Sequence, residues 1–436
     1  MKKITFTILI LCFVTGLFAQ TEPANYGVAV AKFKQFYNSS QPDSVFKMFG
    51  PEMKTALPLE NFKSTTLQLK AQLGDLEKVD FIKFNAPLGF YKATFQKAIF
   101  LLNVGLNDKD EFTGLLLKPY VPDAGTAAAA TPVTTLPTDE SITEIPVSVK
   151  NLAGTISGTL AMPKNITGKV PVVLIIAGSG PTDRDCNSPK LGLYTNAYKM
   201  IANELGKNGI ASLRYDKRLI GQSVSSTREN ELRFEDYVED AVNLINFLND
   251  DERFSRIIVL GHSEGSLIGM MAAVDQPVKG FISVSGPGDS ADNILTEQMK
   301  SQPPFVKDGF KRMLDSLKKG KVTDNIDPSL YFVARPSVQK YLMSWFRYNP
   351  AREIRKLKVP VLIVQGTTDL QVKVTDAEKL KKAKSDAILD IIPGMNHVLK
   401  EAPLDKDKNT ATYNQPNLPL VPDFDKAVIS FVKKIR

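Results

Sequence analysis

A chain of 436 residues is long enough for one large α/β domain and a second, smaller one. Its 43% hydrophobic and 23% charged content excludes a disordered or fibrous chain and marks an ordinary globular protein. The net charge of +8 is spread along the sequence. Its densest run, Lys379, Lys381, Lys382 and Lys384, has no interleaved aromatic residues and reads as a solvated helix face, not a nucleic-acid or lipid patch.

Residues Met1 to about Gln20 read as a signal peptide: Lys2 and Lys3, an apolar run from Ile4 to Val14, and Ala19 at the cleavage point,. Cleavage after Ala19 or Gln20 is expected to send the mature protein to the periplasm or the extracellular space. The apolar run falls short of the roughly 20 residues that a membrane span needs, so no stable membrane insertion is expected after cleavage. Leu11 stands before Cys12 where a lipoprotein site has a small residue. Cys186 is then the only cysteine, so no internal disulfide is possible. It has no histidine near it in sequence and reads as an incidental small residue.

The segment Tyr26 to Tyr37 has apolar residues at helical spacing. Val79 to Phe84, Tyr91 to Ile99 and Thr113 to Lys118 read as strands. Residues 21–118 thus form a small α+β unit without His or Cys. A linker of small residues and prolines follows over 119–141, where Pro132 argues against a helix at Ala127 to Ala130.

From Ile142 the pattern changes to strands alternating with amphipathic helices. Ile145 to Val149 and Gly154 to Ala161 look like an antiparallel pair. Val170 to Ile176 reads as a buried strand, and Ile210 to Tyr215, Arg256 to Leu260, Phe281 to Val284, Val359 to Val364 and Ala387 to Ile392 read as strands. Helices are expected at Tyr194 to Gly206, Arg233 to Asn249, Ser266 to Ala273 and Phe424 to Lys433. Apolar strands separated by helices predict an α/β fold, a mostly parallel sheet covered on both faces. A helical stretch at about 287–357 interrupts the alternation and reads as a cap.

Gly261-His262-Ser263-Glu264-Gly265 is a G-x-S-x-G motif between an apolar strand and a helix. In that context the serine sits on a sharp turn with its hydroxyl above the sheet. A serine hydroxyl needs a base to take its proton. The chain has two histidines; His262 adjoins the serine and its ring should point away, which leaves His397, in the loop after the last apolar strand. The acid that orients it is expected at Asp369, after the strand Val361 to Val364, with Asp289 as the rival. The oxyanion hole is expected to use the backbone N–H of Glu264 and that of Ser179, with Gly180 the less favoured donor. No metal-ligand spacing and no dinucleotide fingerprint is present, so no metal and no cofactor is expected.

Four motifs in order, Gly178 to Asp185, Arg214 to Arg218, Gly261 to Gly265 and Gly394 to His397, give residues from about Glu144 to Arg436 a specific resemblance. That part of the chain resembles the bacterial esterase D-type carboxylesterases, in the serine aminopeptidase-like branch of the α/β-hydrolases. The resemblance implies hydrolysis of short-chain carboxylic esters by the triad Ser263, Asp369 and His397, with a small-molecule ester as partner. Cys186 and Leu219 stand where such sequences commonly have glycine. Residues before the linker resemble, more weakly, a small domain of unknown function found before hydrolases in exported proteins. The charged residues Asp183, Arg184, Asp185, Arg214, Asp216, Lys217 and Arg218 are read as an ion-pair brace for the oxyanion loop, with contact to a polar substrate as the alternative. A peptidase or amidase with the same triad, and an envelope-binding protein with a secondary hydrolase domain, are the alternatives. The sequence leaves the oligomeric state open.

Overall fold

The computed structural model describes residues 21–119, 136–189, 193–302, 304–323 and 330–436. The signal peptide expected at 1–20 and most of the linker expected at 119–141 lie outside the described residues. The chain divides into two compact units, Met1–Pro122 and Asp123–Arg436.

In the first unit, helices α1 (Ala24–Asn38), α2 (Pro42–Lys47), α3 (Pro51–Ala56) and α4 (Leu59–Leu73) precede four strands. These are β1 (Leu76–Asn85), β2 (Leu88–Phe95), β3 (Ile99–Leu106) and β4 (Phe112–Pro119), paired in sequence order and antiparallel throughout. Helix α1 buries Tyr26, Val30, Phe33 and Tyr37, spaced to form one stripe, against Phe49, Phe62, Phe95 and Phe112,. Ring pairs meet edge-on, Tyr37 with Phe95 at 5.5 Å and Phe49 with Phe62 at 4.8 Å between centroids, the arrangement that ring quadrupoles favour.

The strand expected over Tyr91 to Ile99 is two strands. The chain reverses at residues 96–98, where the Phe95 N–H donates to the Ala98 carbonyl at 2.8 Å. A turn without Gly, Pro, Asn or Asp leaves no composition signal. Helices α2 and α3, six residues each, leave no periodic signal, although each opens on a proline at its first position, where the missing N–H costs nothing.

The second unit is a nine-stranded sheet with order β11-β6-β10-β7-β12-β13-β14-β15 and β5 paired to β6. In chain order its strands are β5 (Ile142–Asn151), β6 (Gly154–Pro163), β7 (Val170–Ile176), β10 (Ala211–Tyr215), β11 (Val224–Ser225), β12 (Phe254–His262), β13 (Val278–Val284), β14 (Val361–Gly366) and β15 (Ile388–Ile392). A two-residue pair, β8 (Asn187–Ser188) and β9 (Leu193–Tyr194), lies apart from it. Strands β10, β7, β12, β13, β14 and β15 run parallel, whereas β5, β6 and β11 pair antiparallel.

Alternation along β7 explains the two layers of helix. Val172, Leu174 and Ile176 face a core shared with α6 (Phe234–Asn249), α7 (Glu264–Ala272) and α13 (Val374–Ala383). Val173 and Ile175 face the other core, with α5 (Ala197–Lys207) and α15 (Pro422–Lys434). A strand buried on both faces needs an uninterrupted apolar run, which Val-Pro-Val-Val-Leu-Ile-Ile supplies,.

Between β13 and β14 the chain leaves the sheet for α8 (Ala291–Gln298), α9 (Pro304–Lys318), α10 (Tyr331–Ala334), α11 (Pro336–Trp345) and α12 (Pro350–Glu353). This helical cap has its own apolar cluster, built on Phe310, Met313, Leu314 and Leu317 with Leu330 and Leu342. The short α14 (Lys406–Ala411) follows β15. Among the described residues no helix is long and apolar enough to cross a membrane.

Both residues that replace a usual glycine have left-handed backbone, Cys186 at φ 71° and Leu219 at φ 63°, so glycine is common there for a conformational reason. Cys186 packs its side chain in the core, but that of Leu219 is 37% exposed. Leu219→Gly is therefore expected to stabilise the fold by about 1 kcal/mol through relief of this strain. An upward shift of the urea midpoint at unchanged m-value checks it; an unchanged or lower midpoint refutes it.

Candidate active site

Strand β12 ends on His262 and α7 begins on Glu264, leaving Ser263 alone between them at φ 55°, ψ −122°. A β-carbon on Gly261 would run into the Gly265 carbonyl, and one on Gly265 into the Ile176 carbonyl. Only glycine at both places lets α7 start this close to the ends of β7 and β12. The turn is pinned by its own backbone: the Ser263 N–H donates to the Val284 carbonyl and the Ser263 carbonyl accepts from the Ser266 N–H, both at 2.9 Å.

Because β12, β14 and β15 are parallel, the loops after them open at the same edge of the sheet, where α/β folds place ligands. Asp369 follows β14 and His397 follows β15, and their side chains meet: His397 Nδ1 lies 2.9 Å from Asp369 Oδ2. The other carboxylate oxygen, Oδ1, accepts from the backbone N–H groups of Gln371 (2.8 Å) and Val372 (3.0 Å), while Gln365 Nε2 donates to Oδ2 at 3.2 Å. Burial alone would raise this carboxyl, but the His397 ring and the two N–H groups outweigh it and hold Asp369 below the ordinary aspartate value,. With the carboxylate accepting at Nδ1, the proton sits there and Nε2 keeps its lone pair. The Ser263 hydroxyl and His397 are not hydrogen-bonded to each other among the described residues. Asp289 is engaged elsewhere, with the Ser290 N–H, Asn293 and Lys379.

The loop that carries His397 is held by Asn396, which is fully buried. Its Oδ1 accepts from the N–H groups of Val398 (3.2 Å) and Lys400 (3.0 Å), and its Nδ2 donates to Thr412 at 2.7 Å. His262 has its ring turned away from solvent, between two structural partners. Its Nδ1 lies 2.8 Å from the Tyr198 hydroxyl and its Nε2 lies 2.8 Å from the His397 carbonyl. A carbonyl only accepts, so Nε2 carries the proton and Nδ1 accepts from Tyr198. Burial, reinforced by the neighbouring His397, pushes His262 down to about 3, so it stays neutral around pH 7. Asn396 lies within the Gly394 to His397 motif, whereas Tyr198 has no sequence signal of its own.

The loop after β7 passes directly over the serine. A β-carbon on Gly178 would lie 3.2 Å from Ser263 Cβ. Its N–H donates to the Tyr198 hydroxyl at 3.2 Å, and its carbonyl accepts from Lys217 Nζ at 2.5 Å. The N–H groups of Ser179 and Glu264 donate to no protein acceptor among the described residues.

Charged residues tie this loop to the sheet. Arg184 pairs with Asp216 at 2.6 Å, and Arg214 with Asp185 at 2.6 Å and Glu144 at 2.5 Å. Arg218 is bidentate on the buried Asp240, at 2.7 and 3.0 Å. Asp183 joins no pair; its Oδ1 accepts from the Asp185 and Asn187 N–H groups. Cys186 is buried, which pushes its thiol up to about 11, and it takes no part in the site.

A pocket beneath the cap is lined by Ser179, Ser263 and Glu264 together with the apolar Leu267, Ile294, Leu295 and Trp345. Two carboxylates line it, and each has a lysine: Glu264 has Lys217 at 3.9 Å and Asp289 has Lys379 at 3.4 Å. Among the described residues no group of three or more His, Cys, Asp and Glu is arranged to hold a metal ion.

Residues 190–344 match the family model "Serine aminopeptidase, S33" and residues 30–115 match "Protein of unknown function (DUF3887)". The first match includes Ser263 and most of the cap but stops short of α12, Asp369 and His397. The chain is 26% identical over 378 residues to Esterase EstD of Thermotoga maritima, covering 84% of this chain and 86% of that protein. Among solved structures, Est1E from Butyrivibrio proteoclasticus is 18% identical with a TM-score of 0.43, covering 66% of this chain and 98% of that one. The Pyrococcus furiosus esterase Pf2001 is 16% identical with a TM-score of 0.44, covering 68% and 92%.

Burial raises Asp240 to about 6, with Arg218 opposing the rise. Any stability that its protonation contributes is complete below about pH 4 and fades as pH climbs through about 6. Arg218→Met removes the cation from this carboxylate, leaving Asn151 Nδ2 at 2.6 Å as its side-chain donor, and is expected to destabilise the fold by about 3–5 kcal/mol at pH 8. The deficit against wild type should shrink at pH 5, where Asp240 takes up a proton. Urea denaturation of both proteins at the two pH values checks this, and a pH-independent deficit refutes it.

Proposed function

We propose that this chain, a member of the α/β-hydrolase superfamily, is a serine hydrolase that cleaves carboxylic esters through an acyl-enzyme. The observation that carries the reading is the strained Ser263 turn at the same sheet edge as the hydrogen-bonded pair His397–Asp369. Ser263 Oγ attacks the ester carbonyl carbon while His397 Nε2 takes its proton. The tetrahedral intermediate collapses, and the imidazolium returns that proton to the departing alkoxide. Water then repeats the sequence on the acyl-enzyme and releases the acid. Asp369, kept ionised, fixes the tautomer and stabilises the imidazolium. Backbone N–H groups of Glu264 and Ser179 receive the oxyanion. The N–H of Glu264 opens helix α7, so the helix dipole adds to it. Closing the 2.9 Å acid–base pair onto the serine belongs to the substrate complex, since catalytic hydrogen bonds tighten on binding.

The family description raises an aminopeptidase as the second reading. A substrate ammonium needs a free, accessible carboxylate; Asp289 is paired with Lys379 at 3.4 Å, and Glu264 is buried beside Lys217 at 3.9 Å. The apolar side chains of the pocket suit a neutral ester, and the bulk of Ile294, Leu295 and Trp345 suits a short acyl group. Export through a cleaved signal peptide is part of the proposal and rests on Lys2, Lys3 and the apolar run to Val14. Amino-terminal sequencing of the secreted protein, with Gln20 or Thr21 first, checks it.

Wild type is expected to label with a fluorophosphonate probe and to hydrolyse p-nitrophenyl acetate and butyrate faster than the palmitate, with amino-acyl amides untouched. Ser263→Ala should lose labelling and turnover. Asp369→Asn should lower kcat by about 10³–10⁴-fold through the wrong imidazole tautomer. A folded wild type that neither labels nor turns over esters overturns the proposal, and faster cleavage of amino-acyl amides than of esters selects the aminopeptidase.

A further inference from the structure

Lys217 follows β10 by two residues, and its side chain is 2% exposed. An ammonium is costly to bury, by several kcal/mol even after relaxation, and it is retained only where its surroundings use it. Its surroundings are three: the Gly178 carbonyl at 2.5 Å, Glu264 Oε1 at 3.9 Å and the face of the Tyr237 ring at 5.4 Å. Glu264 is equally buried, and its Oε1 has no hydrogen-bond partner; burial pushes its carboxyl up and the neighbouring Lys217 opposes the rise.

The carbonyl of Gly178 and the N–H of Ser179 belong to one peptide plane. The only cis bond among the described residues is Ala86–Pro87, so the 178–179 peptide is trans, and in a trans peptide C=O and N–H point in opposite directions. Pulling the carbonyl to one side aims the N–H to the other. The pull comes from Lys217. Ser179 itself lines the pocket, together with Ser263 and Glu264. The preceding N–H, that of Gly178, is tied to Tyr198 at 3.2 Å, so the glycine is anchored at both of its polar atoms. A cation on the carbonyl also polarises the peptide and strengthens its N–H as a donor.

We propose that Lys217 is a positioning residue for the oxyanion hole: it orients and polarises the Gly178–Ser179 peptide so that the Ser179 N–H meets the tetrahedral oxyanion beside Ser263. This assignment rests on the serine-hydrolase reading. An interaction realised on the oxyanion acts on kcat and on transition-state analogues, and leaves ground-state binding little changed.

The test uses full-length protein with p-nitrophenyl butyrate as substrate and phenylboronic acid as the probe that forms a tetrahedral adduct on the serine. Lys217→Met is expected to lower kcat by about 10–100-fold, a share of the roughly 10²–10³ that loss of a whole oxyanion donor costs. KM should stay within about threefold and boronate affinity should weaken in step with kcat. Lys217→Arg, which keeps a donor and a charge, should recover part of the loss. Because Lys217→Met leaves Glu264 buried and alone, Lys217→Met/Glu264→Gln is compared with Glu264→Gln in parallel, so that no lone charge confounds folding, and the same kcat ratio is expected. Turnover by wild type and its loss in Ser263→Ala, measured in the same series, bear on the function alone. A folded Lys217→Met protein with wild-type kcat, or one whose kcat falls without weaker boronate binding, overturns the role of Lys217.

Discussion

The closeness with which helix α7 starts against the ends of β7 and β12 is the constraint on which the site depends. Two glycines, Gly261 and Gly265, permit it, because any β-carbon there meets a carbonyl oxygen. The chain must then pass from strand to helix in one residue, and that residue, Ser263, takes a backbone conformation that L-amino acids avoid,. Such strain survives only where the surroundings over-determine it. Here they do so through the bonds to Val284 and Ser266 and through a core that buries both faces of the sheet.

A second layer of polar contacts joins loops that are far apart in sequence. Tyr198 holds the Gly178 N–H and the ring of His262, and the other nitrogen of His262 holds the His397 carbonyl. The loop over the serine and the loop that carries His397 are therefore linked through the residue preceding the serine. Because His262 is held neutral by burial, its two hydrogen bonds keep one sense throughout the neutral range. Lys217 and the arginine pairs of Arg184, Arg214 and Arg218 play the corresponding part on the other side. These pairs are buried or half-buried, where screening is weak and the penalty for losing one partner is large.

The first unit rests on different physics. Its core is aromatic, with rings of α1, α4 and the meander packed edge to face. In a unit this small each ring supplies a large apolar area. The chemistry described above lies in the second unit, where the strands are parallel and their loops converge. An antiparallel meander sends alternate loops to opposite ends, so it does not gather side chains in the same way.

Much of this was legible in the residues alone. Uninterrupted apolar runs at Val170 to Ile176 and Ile257 to Leu260 declared strands buried on both faces, because only such strands can do without polar residues. The glycines either side of Ser263 declared the turn, and a chain with two histidines left His397 as the candidate base. The meeting of His397 with Asp369 was foreseeable from the common direction of parallel strands. The turn at residues 96–98 was not, since it uses no turn-forming residue, and helices α2 and α3, six residues each, are too short to show an apolar stripe. What the tertiary structure decided is which polar groups face one another in the interior. Gly178 and Lys217 are 39 residues apart, and Tyr198 and His262 are 64 apart. Local periodicity encodes which face of an element is buried. It does not encode which buried donor finds which acceptor, because that choice is made only when distant strand ends are brought to one edge of the sheet.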